Sequence, residues 1–178
     1  MPFVRGSLPL AMLLALAVPA LAAPAWAADT EQLGVFRNWS AYTAPTPQGK
    51  VCYALSSPVA SLPKKLARDK VYVIISVWPG RGVRDEIEIV PGYLYRDGES
   101  AFAQVGSQRT EFFTRNDGKS GSAWVKEIND ENALVAAMRG GSTLTVSGVS
   151  KKGTKTTDTF SLSGIAGALD RAHRECGK

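Results

Sequence analysis

"KVYVIISVWPGRGVRDEIEIV", residues 70–90, decides the fold class. Val71 to Val77 is a continuous apolar run rich in β-branched residues, the pattern of a central strand buried on both faces. "PGRG", residues 79–82, is turn chemistry. The return segment alternates: Val83, Asp85, Ile87 and Ile89 share one face, and Arg84, Glu86, Glu88 and Val90 the other. Asp85 breaks the pattern as an acid among apolar neighbours.

The same reading extends in both directions from this hairpin. "VFRNWSAYTA" (35–44) reads as one aromatic-rich strand, "PTPQGK" (45–50) as a turn, and "KVCYAL" (50–55) as the next strand. Residues 56–70 read as a polar connection broken by Pro58 and Pro63. After residue 90, "AFAQVG", "QRTEFF" and "AWVKEI" read as short strands separated by turns. "NDENALVAAMRGG" (129–141) reads as a helix capped by Asp130, with Leu134, Ala137 and Met138 on one face and Gly140 or Gly141 at its end. "STLTVSGVS", "KKGTK" and "TTDTFSLS" form a last hairpin. In the terminal helix Ser163 is the expected N-cap. Ile165, Ala168, Leu169, Ala172 and Cys176 fall on one stripe of it. The expected architecture is mainly β, sandwich or barrel-like, with about eight short antiparallel strands and two helices, one of them C-terminal.

The first 27 residues carry Arg5, an apolar run from Leu8 to Val18, and the small-x-small tripeptide Ala25-Trp26-Ala27. This is the pattern of a secretory signal peptide cleaved after Ala27. Pro9, Pro19 and Pro24 interrupt the segment, which suits a membrane-spanning helix poorly. The expected organisation is therefore a leader over 1–27 and a single domain over 28–178, with no transmembrane segment once the leader is removed. A chain of that length buries about 70% of its unfolded surface, which is enough for a true core.

An exported chain meets an oxidising compartment, where two cysteines pair by default. Cys52 lies on an early strand and Cys176 on the buried stripe of the last helix, so a disulfide between them fastens one end of the domain to the other. Two cysteines and one histidine supply too few ligands for an ordinary metal site.

The net charge is +5, and +4 without Arg5. The positive residues cluster in turns: Lys64, Lys65 and Arg68; Arg81 and Arg84; Lys151, Lys152 and Lys155. Such loops suit solvent or an anionic surface, a lipid headgroup or a polysaccharide. No basic helix or aromatic-basic strand points to nucleic acid.

Catalytic patterns fail on specific positions. "GKSGS" has Ser122 where a nucleophile elbow needs glycine. "GKS" at 118–120 has Phe113 where a phosphate loop needs its first glycine. His173, the single histidine, sits near a helix C-terminus, where the dipole favours a cation. Asp85, Glu86 and Glu88 form the one dense acidic group in a hairpin and read as a charge-paired strand surface. The best binding candidate is the tip "WPGRGVR", with Trp78, Arg81 and Arg84 as expected partner contacts.

The order of segments resembles the invasion-associated locus B family of exported bacterial proteins. The resemblance is carried by "FRNWSAY", "GKVCYALSSP", "WPGRGVRDEIEIVPGYLY", "AWVKEINDENALVAAMRGGSTLTVSG" and "SKKGTKTTDTFSLSGIAGALDRAHREC". Its most specific part holds Gly153, Thr154, Thr157, Asp158, Thr159, Ser161, Leu162, Gly164, Ala168 and Leu169. The chain departs from many members in lacking additional cysteines around a Gly-Cys dipeptide. The resemblance implies a periplasmic or envelope-associated protein, at the outer membrane or secreted, linked in some relatives to host-cell invasion. It implies no enzyme activity, no catalytic residue and no cofactor. The reading that follows is a non-catalytic binding or accessory protein of the envelope, whose partner is an envelope or host-surface protein or an anionic glycan. A periplasmic hydrolase using the acidic hairpin and a small-molecule or lipid carrier inside a β barrel are the alternatives.

Overall fold

A computed structural model of the protein describes residue 1 and residues 29–177. The expected leader over residues 1–27 falls, apart from Met1, outside the described residues. The decisive hairpin forms as its alternation requires: β5 (Tyr72–Trp78), a 3-10 turn (Pro79–Arg81) and β6 (Val83–Val90). Gly82 closes the turn in the left-handed region at φ 67°, and its N–H donates to Pro79 O at 3.1 Å. Val73, Ile75, Ile87 and Ile89 are all buried, and Ile75 faces Ile87 across the ladder.

The remaining strands are β1 (Glu31–Phe36), β2 (Trp39–Thr46), β3 (Gly49–Ser56), β4 (Ala60–Leu62), β7 (Ala101–Val105), β8 (Gln108–Asn116), β9 (Gly121–Val125), β10 (Thr143–Val149) and β11 (Lys155–Ser161). All eleven join one open antiparallel sheet in the order β1-β2-β3-β5-β6-β9-β8-β7-β10-β11-β4. β3 and β4 are far apart in that order yet joined by residues 57–59, so the sheet must curl back on itself. The mainly β class with two helices is the expected one; eleven strands exceed the expected eight or so, and two of the additional strands have a clear origin. The first expected strand is two, split by a tight turn at Arg37-Asn38, with Arg37 at φ 57°. The polar connection contains β4, a three-residue edge strand paired with β11.

One core fills the curl, with Trp39, Tyr95, Phe112, Phe160, Leu134, Met138 and Leu169 among its fully buried side chains. Helix α1 (Ile128–Gly140) contributes Leu134 and Met138, and α2 (Ile165–Cys176) contributes Ile165, Ala168 and Leu169. Every residue of the stripe expected on α2 is buried. Both expected caps differ. Glu127 stands at the N-cap of α1 without a side-chain cap, and Asp130 lies inside the first turn, where its charge still suits the dipole. Gly164, not Ser163, stands at the N-cap of α2, at φ 100°. A side chain at Gly164 would run into the backbone carbonyl of Phe36. The Ser163 carbonyl instead accepts the Asn38 N–H at 3.2 Å, and Trp39 Nε1 donates to Ser161 O at 2.9 Å. These bonds lock the β1–β2 turn against the start of α2.

Candidate functional site

β6 pairs with β9 only at Glu88 and Ile89, so its first half diverges from the sheet. α1 packs against the diverging strand. Glu131, in its first turn, sends its carboxylate inward, and Oε1 accepts the Ile87 N–H at 2.7 Å. This satisfies a buried donor. Burial pushes the Glu131 carboxyl above the ordinary range, the Ile87 bond opposes that, and the negative charges of Glu86 and Asp85 add to it.

Outside this opening lies a shallow groove of about 400 Å³. Arg81 and Glu86 border it from the hairpin, Phe113 and Arg115 from β8, Trp124 from β9 and Glu131 from α1. Glu88, Trp124 and Phe113 are successive cross-strand neighbours, and the Phe113 and Trp124 rings lie 5.8 Å apart. Phe113 is 45% exposed, a large apolar surface left to solvent. Burial raises the Glu88 carboxyl, the Ser122 hydroxyl opposes this, and the neighbouring Glu86 charge reinforces it.

The three expected contact residues separate into two groups. Trp78 and Arg81 come together, with the guanidinium 5.3 Å from the indole centroid and Arg81 Nη2 3.5 Å from Glu86 Oε2. Trp78 Nε1 is buried without a hydrogen-bond partner. Arg84 turns the other way, toward α2. Its Nη2 lies 3.3 Å from His173 Nδ1, and His173 Nε2 lies 2.6 Å from Asp85 Oδ1. This explains the acid on the apolar face of β6: Asp85 faces the single histidine across α2. With the ring proton on Nε2, that N–H donates to Asp85 while Nδ1 accepts from Arg84. In that tautomer both ring nitrogens are engaged, which orients the imidazole between β6 and α2.

One turn further along α2, Cys176 is bonded to Cys52 on β3, 124 residues earlier in the chain. Lys50 Nζ reaches Glu175 Oε1 at 2.5 Å beside it, and Arg171 holds the other Glu175 oxygen at 2.9 Å. Sequence reasoning found the hairpin tip and the thiols but missed Phe113, Trp124 and Glu131. Phe113 and Trp124 alternate with buried neighbours on their strands, and an aromatic residue at an outward position is the signal that could have found them. Among the described residues, no group of three or more His, Cys, Asp or Glu is arranged to hold a metal ion, and no helix is long and apolar enough to cross a membrane.

Residues 101–173 match the family model described as invasion associated locus B protein. No curated protein sequence matches the chain. Among solved structures, the chain is similar to the crystal structure of invasion associated protein B from Bartonella henselae. That similarity covers 82% of this chain and 98% of that one, with a TM-score of 0.55 at 18% sequence identity. At that identity the likeness speaks for the fold. The matched segment runs from β7 into α2 and includes Phe113, Trp124, Glu131 and His173. The chain is therefore similar to the invasion-associated locus B family over residues 101–173, and its fold is similar to that of a solved protein of that name.

Proposed function

We propose that the chain is an exported envelope protein, with a leader over residues 1–27 and a folded domain over 28–178, that acts by binding another protein without catalysis. The observation that carries this reading is the Phe113–Trp124 pair, with Phe113 exposed and Trp124 half-buried, set among Arg81, Arg115 and Glu86. Aromatic and arginine side chains are enriched among hot spots of protein interfaces: aromatic rings bury large area with few rotors to freeze, and the guanidinium presents a planar fork of donors. The mixed charge of the rim favours a protein partner, of the envelope or a host surface, over an anionic glycan, which Glu86 and Glu88 would repel. Arg81, stacked on Trp78, forms the hairpin side of this face, whereas Arg84 points away from it toward α2.

A hydrolase reading finds less support. Glu131, the carboxyl best placed beside Glu86, already accepts the Ile87 N–H and would have to give up that bond to act as a general acid.

The test is capture by the oxidised protein from solubilised envelope of its own cells, with mild cross-linking. Phe113→Ala and Arg81→Ala should each lose a stoichiometric partner while keeping the parent Tm. A partner retained by both variants, or capture of glycan in place of protein, would overturn the assignment of this face.

A further inference from the structure

A second recess lies where the loop after β4, the segment after β6 and the β10–β11 turn converge. We propose that it binds a single-chain amphiphile with an anionic headgroup, the chain in the recess and the headgroup at Lys151 and Lys152. The inference does not rest on the protein-binding face described above, which uses none of these residues.

The recess has a volume of about 280 Å³, and Leu66, Tyr93 and Leu94 form its apolar lining. That is at the small end of ligand pockets, too small for a lipid with two full chains. Its polar wall groups are already used. The Tyr93 hydroxyl pairs with Thr156 Oγ1 at 2.6 Å, and the Ser150 hydroxyl accepts the Thr154 N–H at 3.1 Å. Arg68 is held by both Asp158 oxygens and donates to Pro91 O at 3.2 Å. The lining therefore offers an apolar guest contact area and few open hydrogen bonds.

The rim is different. Lys151 and Lys152 border the recess, both side chains are exposed, and among the described residues neither pairs with a carboxylate. Their backbone is fixed, since Lys151 N–H donates to Leu94 O and Gly153 N–H to Ser150 O, each at 2.7 Å. Lys64 and Lys65 stand exposed on the loop that supplies Leu66. An apolar recess beneath unpaired cations on a tied-down turn complements a chain that ends in an anion. A free inorganic anion would leave the recess unused, and a neutral chain would leave the lysines unused.

The experiment is calorimetric titration of the oxidised protein with octyl phosphate below its micelle concentration, against octanol and inorganic phosphate as single-feature controls. The expected result is saturable binding of one octyl phosphate, about tenfold or more tighter than either control. Lys151→Ala/Lys152→Ala should weaken it about tenfold, with the difference shrinking at high salt as exposed charges are screened. Leu94→Asp should remove binding; should that variant not fold, the double lysine variant, confined to exposed positions, carries the test. Equal affinity for octyl phosphate and phosphate would overturn the proposal in favour of surface anion attraction. Equal affinity for octyl phosphate and octanol would leave only an apolar recess. Binding to anionic phospholipid vesicles without binding of octyl phosphate would move the lysines to a membrane-surface role and overturn the recess as a site.

Discussion

At the corner where α2 crosses β3, the terminal helix is fastened to the sheet by a disulfide and by polar pairs near the surface. At the β4–β11 edge a comparable task falls to a buried ion pair. Arg68, on the loop after β4, grips Asp158 of β11, with side chains only 7% and 3% exposed, and Ser61 Oγ donates to the same carboxylate at 2.6 Å. The corner restricts the unfolded chain, whereas the edge depends on a charge that has meaning only in the folded state. The two should respond differently to reduction and to single-site truncation.

The largest expected effect belongs to the corner. A disulfide spanning 124 residues stabilises by about 4–5 kcal/mol in the chain-entropy picture, an upper figure and on the order of 10 °C in Tm. Cys176→Ser should show that loss in thermal melts under oxidising conditions, and none relative to the parent once both are reduced. Because Ile165 to Leu169 remain in the core, the loss should begin as fraying of the last turn of α2, read as faster amide exchange near residue 176. Equal oxidised melting points for variant and parent would remove the corner's half of the comparison.

The edge comes second. Arg68→Met leaves Asp158 buried without its cation and should cost about 3–5 kcal/mol in denaturant melts. Adding Asp158→Leu should recover much of it, because the pair is replaced by apolar side chains and no lone charge remains. A strongly non-additive cycle is the expected result. Losses that simply add would show that the two ions do not act as a pair.

The same contrast explains what was legible in the sequence. The alternation of β6 and the α2 stripe are local periodicities, and both appear in the fold as read. β5, in contrast, is not buried on both faces throughout: Tyr72 and Ile74 are half-buried, with Ile74 opposite Glu88. β4 was not legible, because three residues among prolines and lysines carry no period and owe their conformation to β11. The split between β1 and β2 was hidden by Arg37, a non-glycine in the left-handed region, held by the bonds that tie Asn38 and Trp39 to the segment before α2. Ser163 had the chemistry of a cap, but close approach to Phe36 fixed the cap at the neighbouring glycine. Asp85 broke an apolar pattern in the sequence, and Asp158 stands on the buried face of β11 between Thr156 and Phe160. Each found a partner about 90 residues away, a separation that no local reading spans. The Phe113–Trp124 groove required the β8–β9 register, and the sequence suggested only that both strands exist.

Glu88 supplies the smallest effect and sharpens the comparison, because it is a half-buried carboxyl beside a like charge. Its neighbours are the Ser122 hydroxyl and Glu86, whereas Asp158 has a guanidinium. Burial raises the Glu88 carboxyl above its ordinary value of 4.5, so the folded state holds this proton more tightly than the unfolded chain does. A raised carboxyl contributes stability that is present in full below its unfolded pKa and is lost as pH rises through the folded one. Glu88→Gln removes that loss. The variant should melt higher than the parent at pH 7, and the gap should close as pH falls below 4.5. Melts of both proteins across that range decide the matter. A gap that stays constant with pH would mean that packing at residue 88, and not its ionisation, separates the two.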